Sequence, residues 1–168
     1  LISRDAKAIE RYLPKLERAV AFVETRRSPA NNLFLAGPAA NLLAPSYAGF
    51  RRPDGTWDKA YLAGLSITQI AALDRVIELE KLTGHTKEAE YYTNLRDSAK
   101  RALALLTTME GYFVKSIDPD GAKHGVLYAS KYGYFEAPPN HDAIAFRVAD
   151  DAQAEKIYQK IAALPGLR

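Results

Sequence analysis

The chain has 168 residues, of which 48% are hydrophobic and 26% charged, with a formal net charge of +3 and no cysteine. That composition fits one soluble, core-forming domain and disfavours both disorder and membrane spanning, since no apolar run nears the roughly 18 residues a transmembrane helix needs. Zero Cys excludes disulfides and thiolate metal sites and leaves the compartment open, and the basic residues are scattered, with short clusters at Arg26-Arg27 and Arg51-Arg52, where a nucleic-acid protein would carry a continuous basic stripe.

The opening "LISRDAKAIERYLP" has no signal-peptide core and no initiating Met, so it reads as the start of a trimmed or truncated piece that begins in a helical pattern. From Ser3 to about Thr25, Ile9, Leu13, Leu16, Val20 and Val23 recur at steps of three and four and mark one helical face. Pro14 lies within this pattern. It predicts either a bend or a helix start moved forward to Leu13-Pro14, because proline is best tolerated in a first turn.

A second helix is predicted from about Trp57 to Thr83 on Leu62, Leu65, Ile70, Leu73 and Ile77, with Gly84 placed to end it. After the link "GHT", Tyr92, Leu95, Ala99, Ala102 and Leu106 predict a third helix from about Lys87 to Met109, stopped by Gly111. So short a link makes the two an antiparallel hairpin. Between residues 112 and 127 the period changes. "YFVKSI" and "AKHGVL" flank "DPDG", which reads as two short strands around a proline-initiated turn. The last helix begins at Asp150-Asp151, uses Ala154, Ile157, Ile161 and Leu164, and stops at Pro165-Gly166. Two long loops are left, at 27–56 and 128–149, and loops of that length in a helical domain are usually functional or else misread structure.

The run "LAGLSITQIAALDRVIELEKLTGHTKEAEYYTNLRDSAKRAL", followed by "EGYFVKSIDPDG", resembles the six-hairpin glycosidases over most of residues 31 to 162. "NNLFLAGPAANLLAPSYAGF" resembles the segment that enters the active-site mouth in those enzymes. The resemblance implies a mainly α fold of antiparallel helical hairpins of the (α/α)6-toroid type, with a small β-hairpin edging the sugar site. Twelve helices of average length and their loops exceed 168 residues. The expected organisation is therefore a single helical domain over 1–168, at most about half a toroid, which is either a fragment of a larger (α/α)6 catalytic domain or a smaller relative, the fragment being preferred.

The implied activity is glycoside hydrolysis on an oligo- or polysaccharide, which takes two carboxyl groups facing the scissile bond, one as acid and one as base or nucleophile. Glu136 and Asp142 are the candidate catalytic pair. They lie in "KYGYFEAPPNHDAIAFRV", where Tyr132, Tyr134 and Phe135 can desolvate Glu136 and raise its pKa. Against this, Asp142 can cap a short helix "HDAIAFRV" and Glu136 can pair with a Lys or Arg. The candidate substrate-binding residues are Tyr47, Trp57, Tyr61, His124, Tyr132, Tyr134, Asn140 and His141, aromatics as platforms for sugar faces and polar groups as partners for hydroxyls. In an extended segment Tyr132 and Tyr134 point to one side, Pro138 and Pro139 stiffen the loop that follows, and Asn140 and His141 sit at a groove rim.

No metal and no cofactor is expected: His85, His124 and His141 have no ligand spacing, "DPDG" lacks the rest of a calcium loop, and no phosphate-loop or dinucleotide motif occurs. The expected partner is a carbohydrate substrate, with neither nucleic acid nor membrane, and a half toroid predicts self-association through uncovered helix faces. The enzyme expected is glycoside hydrolase-like, and whether such a piece is active by itself is left open. The alternative is a non-catalytic helical module, similar to a tetratricopeptide-type array, that binds a protein or a glycan. An array of that kind repeats every 34 or so residues, and no such repeat is present.

Overall fold

The computed structural model describes residues 5–36, 54, 59–130 and 133–165. The first helix, α1, runs Ala6–Glu24 and is capped by Asp5, whose side chain accepts hydrogen bonds from the backbone N–H groups of Lys7 and Ala8. Pro14 stays inside the helix, so the start is not displaced to Leu13-Pro14. Pro14 and Glu10 are both exposed, which lets water bond the Glu10 carbonyl that the proline leaves without its helical donor. Leu13 and Val20 are buried, whereas Leu16, on the same predicted stripe, is 43% exposed.

Two short strands form where the sequence pattern predicts loop and helix. β1 is Leu35–Ala36 and β2 is Ala60–Leu62, directly followed by α2 at Ala63–Thr83. The second helix thus begins later than its apolar pattern predicts, because residues 60–62 are drawn into a sheet. The α2 helix is buried on several sides, and it ends as predicted at Gly84, whose φ of +80° closes the turn back onto Glu80 and Lys81. α3, Thr86–Ala102, returns antiparallel to α2. It tightens into a 3-10 turn at Leu103–Leu106. The α-helix therefore stops well before Met109, because Thr107 leaves it to bridge Phe113 while Val114 N–H donates to Leu106 O.

The predicted hairpin is present as β3, Ser116–Ile117, and β4, Lys123–His124, with Gly121 at φ +91° in its turn. It belongs to a four-stranded antiparallel sheet in the order β1-β2-β3-β4. The register sets Leu62 beside Ser116 and Ser116 beside His124, all buried, and sets Tyr61 beside Ile117 and Ile117 beside Lys123 on the more open face. Residues 137–145, expected as loop, are instead a helix, α4, Ala137–Ala145. Pro138 and Pro139 fall in its first turn, where the N–H groups they lack have no helical acceptor. The prolines therefore start a helix and do not stiffen an extended loop. α5 is Asp151–Ala163, capped by Asp150, which accepts from Gln153 N–H, and it buries Ile157 completely.

The core has two parts. Leu33, Phe34, Ile67, Ile70, Leu106, Phe113, Val114 and Ile157 fill the larger, between α2, the sheet and the last two helices. Leu13, Val20, Leu73, Ile77 and Tyr92 fill the smaller, where α1 packs on the α2–α3 pair. Among the described residues no helix is long and apolar enough to cross a membrane.

Candidate active site

Residues 112–115 are the spine of the site. Tyr112 is buried against Phe135, with ring centroids 5.5 Å apart, and its hydroxyl accepts from Leu127 N–H at 2.8 Å. Phe113 pairs with Asn140: its N–H donates to Asn140 Oδ1 at 2.8 Å, and Asn140 Nδ2 donates back to Phe113 O at 2.9 Å. The same Nδ2 donates to Glu136 O at 2.8 Å. One side-chain amide thus completes the backbone hydrogen bonding of Phe113 and fixes the first turn of α4 against it. Because Glu136 is the N-cap position of α4, this lock also sets where its carboxyl lies.

Lys115 follows two residues later. Its N–H donates to His124 O, and its own carbonyl accepts from Ala63 N–H, so the backbone is held from β4 and from the start of α2. Gly125, at φ +84°, packs so closely that a Cβ there would lie 2.8 Å from Lys115 N. Burial alternates along Val114, Lys115, Ser116 and Ile117, so Lys115 projects to the same open face as Ile117 and Tyr61. There its ammonium lies 5.9 Å from the centre of the Tyr134 ring.

Glu136, Lys115 and Tyr134 form one electrostatic group. Burial pushes the Glu136 carboxyl above the usual carboxylate range, and Lys115 partly opposes this. Burial also pulls the Lys115 ammonium down, opposed by Glu136. The Tyr134 hydroxyl is pushed up to about 12, by burial first and by the Glu136 charge second. A carboxyl in this setting keeps its proton to higher pH and can give it to a leaving oxygen, with the neighbouring ammonium stabilising the carboxylate left behind.

The structure distributes the candidate residues unevenly. Glu136 and Tyr134 are together, and Lys115, which sequence reasoning missed, joins them. The only trace of it in the sequence is a lone charge in the apolar "YFVKSI", since nothing in the spacing says that residue 136 docks against this strand. Asp142 is six positions beyond Glu136, about 240° further around α4, so the helix does not present the two carboxyls on one side. Asn140, expected at a rim, is fully buried and holds the backbone. His124 is 1% exposed on the sheet's inner face, with Nε2 2.7 Å from Asp118 Oδ2. Tyr61 is half-buried on the open face, its hydroxyl 3.5 Å from Ser28 Oγ. His141 is exposed. Tyr47, Trp57 and Tyr132 lie outside the described residues, and among those described no His, Asp and Glu cluster fits a metal ion.

No family model and no curated protein matches this chain. Among solved structures, its fold is similar to the crystal structure of a GH78 family rhamnosidase of Bacillus sp. GL1, with a TM-score of 0.69 at 15% sequence identity. The match covers 97% of this chain and 16% of that one. The chain therefore shares the fold of a segment of a glycosidase and spans a small part of that enzyme's length.

Proposed function

We propose that this chain contributes one wall of a carbohydrate site of glycoside hydrolase type, within a partial (α/α)6 toroid. The observation that carries the reading is the Glu136–Lys115–Tyr134 group: a buried carboxyl with a raised pKa, a cation to stabilise its conjugate base, and an aromatic ring for a sugar face. The fold likeness to a rhamnosidase supports the same class and points to rhamnosides as the first substrates to try. In this reading Glu136 is the general acid. Tyr134 contacts the sugar, with Tyr61 and His141 as further candidate contacts, and the hydroxyl-rich ligand needs neither metal nor cofactor. Helix faces open to solvent, with Phe22 65% and Tyr158 64% exposed, fit self-association or cover by further helices.

A second reading, a glycan-binding module without catalysis, is favoured by the placement of Asp142, because among the described residues the site then holds one carboxyl where hydrolysis takes two. A panel of aryl glycosides that includes α-rhamnosides separates the two. Turnover by the wild type that falls by about 100-fold or more in Glu136→Gln supports the enzyme. Saturable binding of the same sugars without turnover supports the module, and neither turnover nor binding removes both.

A further inference from the structure

The basic residues that are scattered through the sequence are sorted by α1. Lys7, Arg11, Lys15 and Arg18, then Phe22 and Arg26, follow one another at steps of four, four, three, four and four, which makes one ridge along the helix and just past its end. All six are exposed. The acids of the same helix, Glu10, Glu17 and Glu24, lie on a second line about a third of a turn away. Those acids are engaged elsewhere: Glu24 pairs with Arg27 and accepts from Gln69, Glu17 accepts from the Tyr92 hydroxyl at 3.5 Å, and Glu10 lines a cleft with His85 and Glu88. Among the described residues none of the five ridge cations forms an ion pair. Arg11 and Lys15 instead lie 5.5 and 5.2 Å from the centre of the Tyr12 ring, and Arg26 lies 6.0 Å from that of Phe22. Helix stability does not account for the ridge, since like charges three and four positions apart repel and Lys7 stands in the first turn, at the positive end of the helix dipole.

We propose that this ridge binds an anionic polysaccharide, with carboxylates or sulfates of the chain set against the five cations and a sugar face laid on Phe22, which is 65% exposed. From Lys7 to Phe22 the ridge runs about 22 Å, a straight line of one sign that matches a linear polymer carrying charge at regular intervals. The choice of a polysaccharide among polyanions rests on the carbohydrate reading of the Glu136 group. The ridge itself contains none of that group's residues, so it is a separate surface that holds the chain by charge. Contacts between exposed charges are screened by salt, and the binding is therefore salt-dependent.

The test is titration of the protein with polygalacturonate at about 50 and 200 mM salt, beside neutral dextran, single-stranded DNA and vesicles of an anionic lipid. The wild type is expected to bind polygalacturonate with an affinity that falls about tenfold or more over that range, and not to bind dextran. The triple variant Arg11→Gln, Lys15→Gln, Arg18→Gln should lose about tenfold in affinity for polygalacturonate and melt no lower than the wild type, because it removes repelling neighbours from exposed positions. A control with the same change in net charge, Lys81→Gln, Lys87→Gln, Lys123→Gln, should keep the wild-type affinity. Equal loss in the two triple variants would mean diffuse attraction by net charge and would overturn the ridge. So would a wild type that does not bind polygalacturonate, or that binds DNA or vesicles more tightly than polygalacturonate at equal salt. The Tyr134 and Glu136 signals keep the two readings apart. Their response to neutral oligosaccharides should be the same in the ridge variant as in the wild type, and its absence from both would remove the carbohydrate reading of that site, while the ridge is judged on polygalacturonate alone.

Discussion

Asn140 and the backbone of Phe113 form a two-way hydrogen bond, with Oδ1 accepting at 2.8 Å and Nδ2 donating at 2.9 Å, in a site with no solvent exposure. A side-chain amide here plays the part of a neighbouring strand. Because Nδ2 also reaches Glu136 O, the pairing transmits the position of residue 113 to the carboxyl of residue 136.

Asn140→Ala removes all three bonds and leaves the Phe113 N–H and carbonyl buried without partners. We expect a loss on the order of 3 kcal/mol, given about 1–3 kcal/mol for each buried group left unsatisfied and partial relaxation around it. The raised titration of Glu136 should return toward the ordinary range as α4 loosens. Chemical denaturation measures the first effect, and carboxyl 13C NMR of Glu136 the second. A variant as stable as the wild type contradicts the positioning role.

The helices are legible in the sequence where a long amphipathic or capped pattern stands alone. Gly84 and Asp150 mark helix ends by mechanisms that act within four residues, so the sequence carries them locally. Strands of two or three residues carry no readable period, which is why β1 and β2 are hidden in apparent loop and helix while β3 and β4, framed by "DPDG", stand out. α4 is hidden because two prolines suggest a loop until their place in a first turn is known. At the site, Glu136 and Tyr134 are visible in sequence as a carboxyl among aromatics. Lys115 is not, since its role comes from the docking of the segment 112–115 on α4 through Asn140. Asn140 looks like a rim residue because an amide's burial depends on whether a backbone partner, here Phe113, is brought to it.

Glu136 should affect stability in the direction opposite to its effect on activity. Its folded-state pKa lies above the unfolded value, so its contribution is full below the unfolded pKa and is lost as pH rises through the folded one. Glu136→Gln removes that loss. The variant is expected to melt above the wild type at neutral pH, with the difference vanishing in acid, while any glycoside turnover falls by about 100-fold or more. A variant less stable at neutral pH would mark Glu136 as a structural ion-pair partner.

Lys115→Met makes a separable forecast. Lys115 is the cation that holds the Glu136 titration down, so its removal should move that titration further up. The ammonium's own folded pKa is depressed, so at neutral pH its burial costs stability that the substitution relieves. While Glu136 is protonated, Lys115→Met should therefore be the more stable protein. As pH rises and the carboxyl ionises without its cation, that advantage should shrink or reverse. Matched melting curves across pH, with the Glu136 13C titration, test this, and an unmoved Glu136 titration rules out the coupling.

The most direct measurement is an NMR titration of the protein with rhamnose-containing and other oligosaccharides, following the Tyr134 ring and the Glu136 carboxyl together. The proposed wall of a carbohydrate site predicts saturable shifts of both signals at one common affinity, with the Tyr134 response preserved in Glu136→Gln, which keeps the ring and loses the acid. Oligosaccharide binding that leaves both signals unchanged, or no binding by any glycan in the panel, would contradict it.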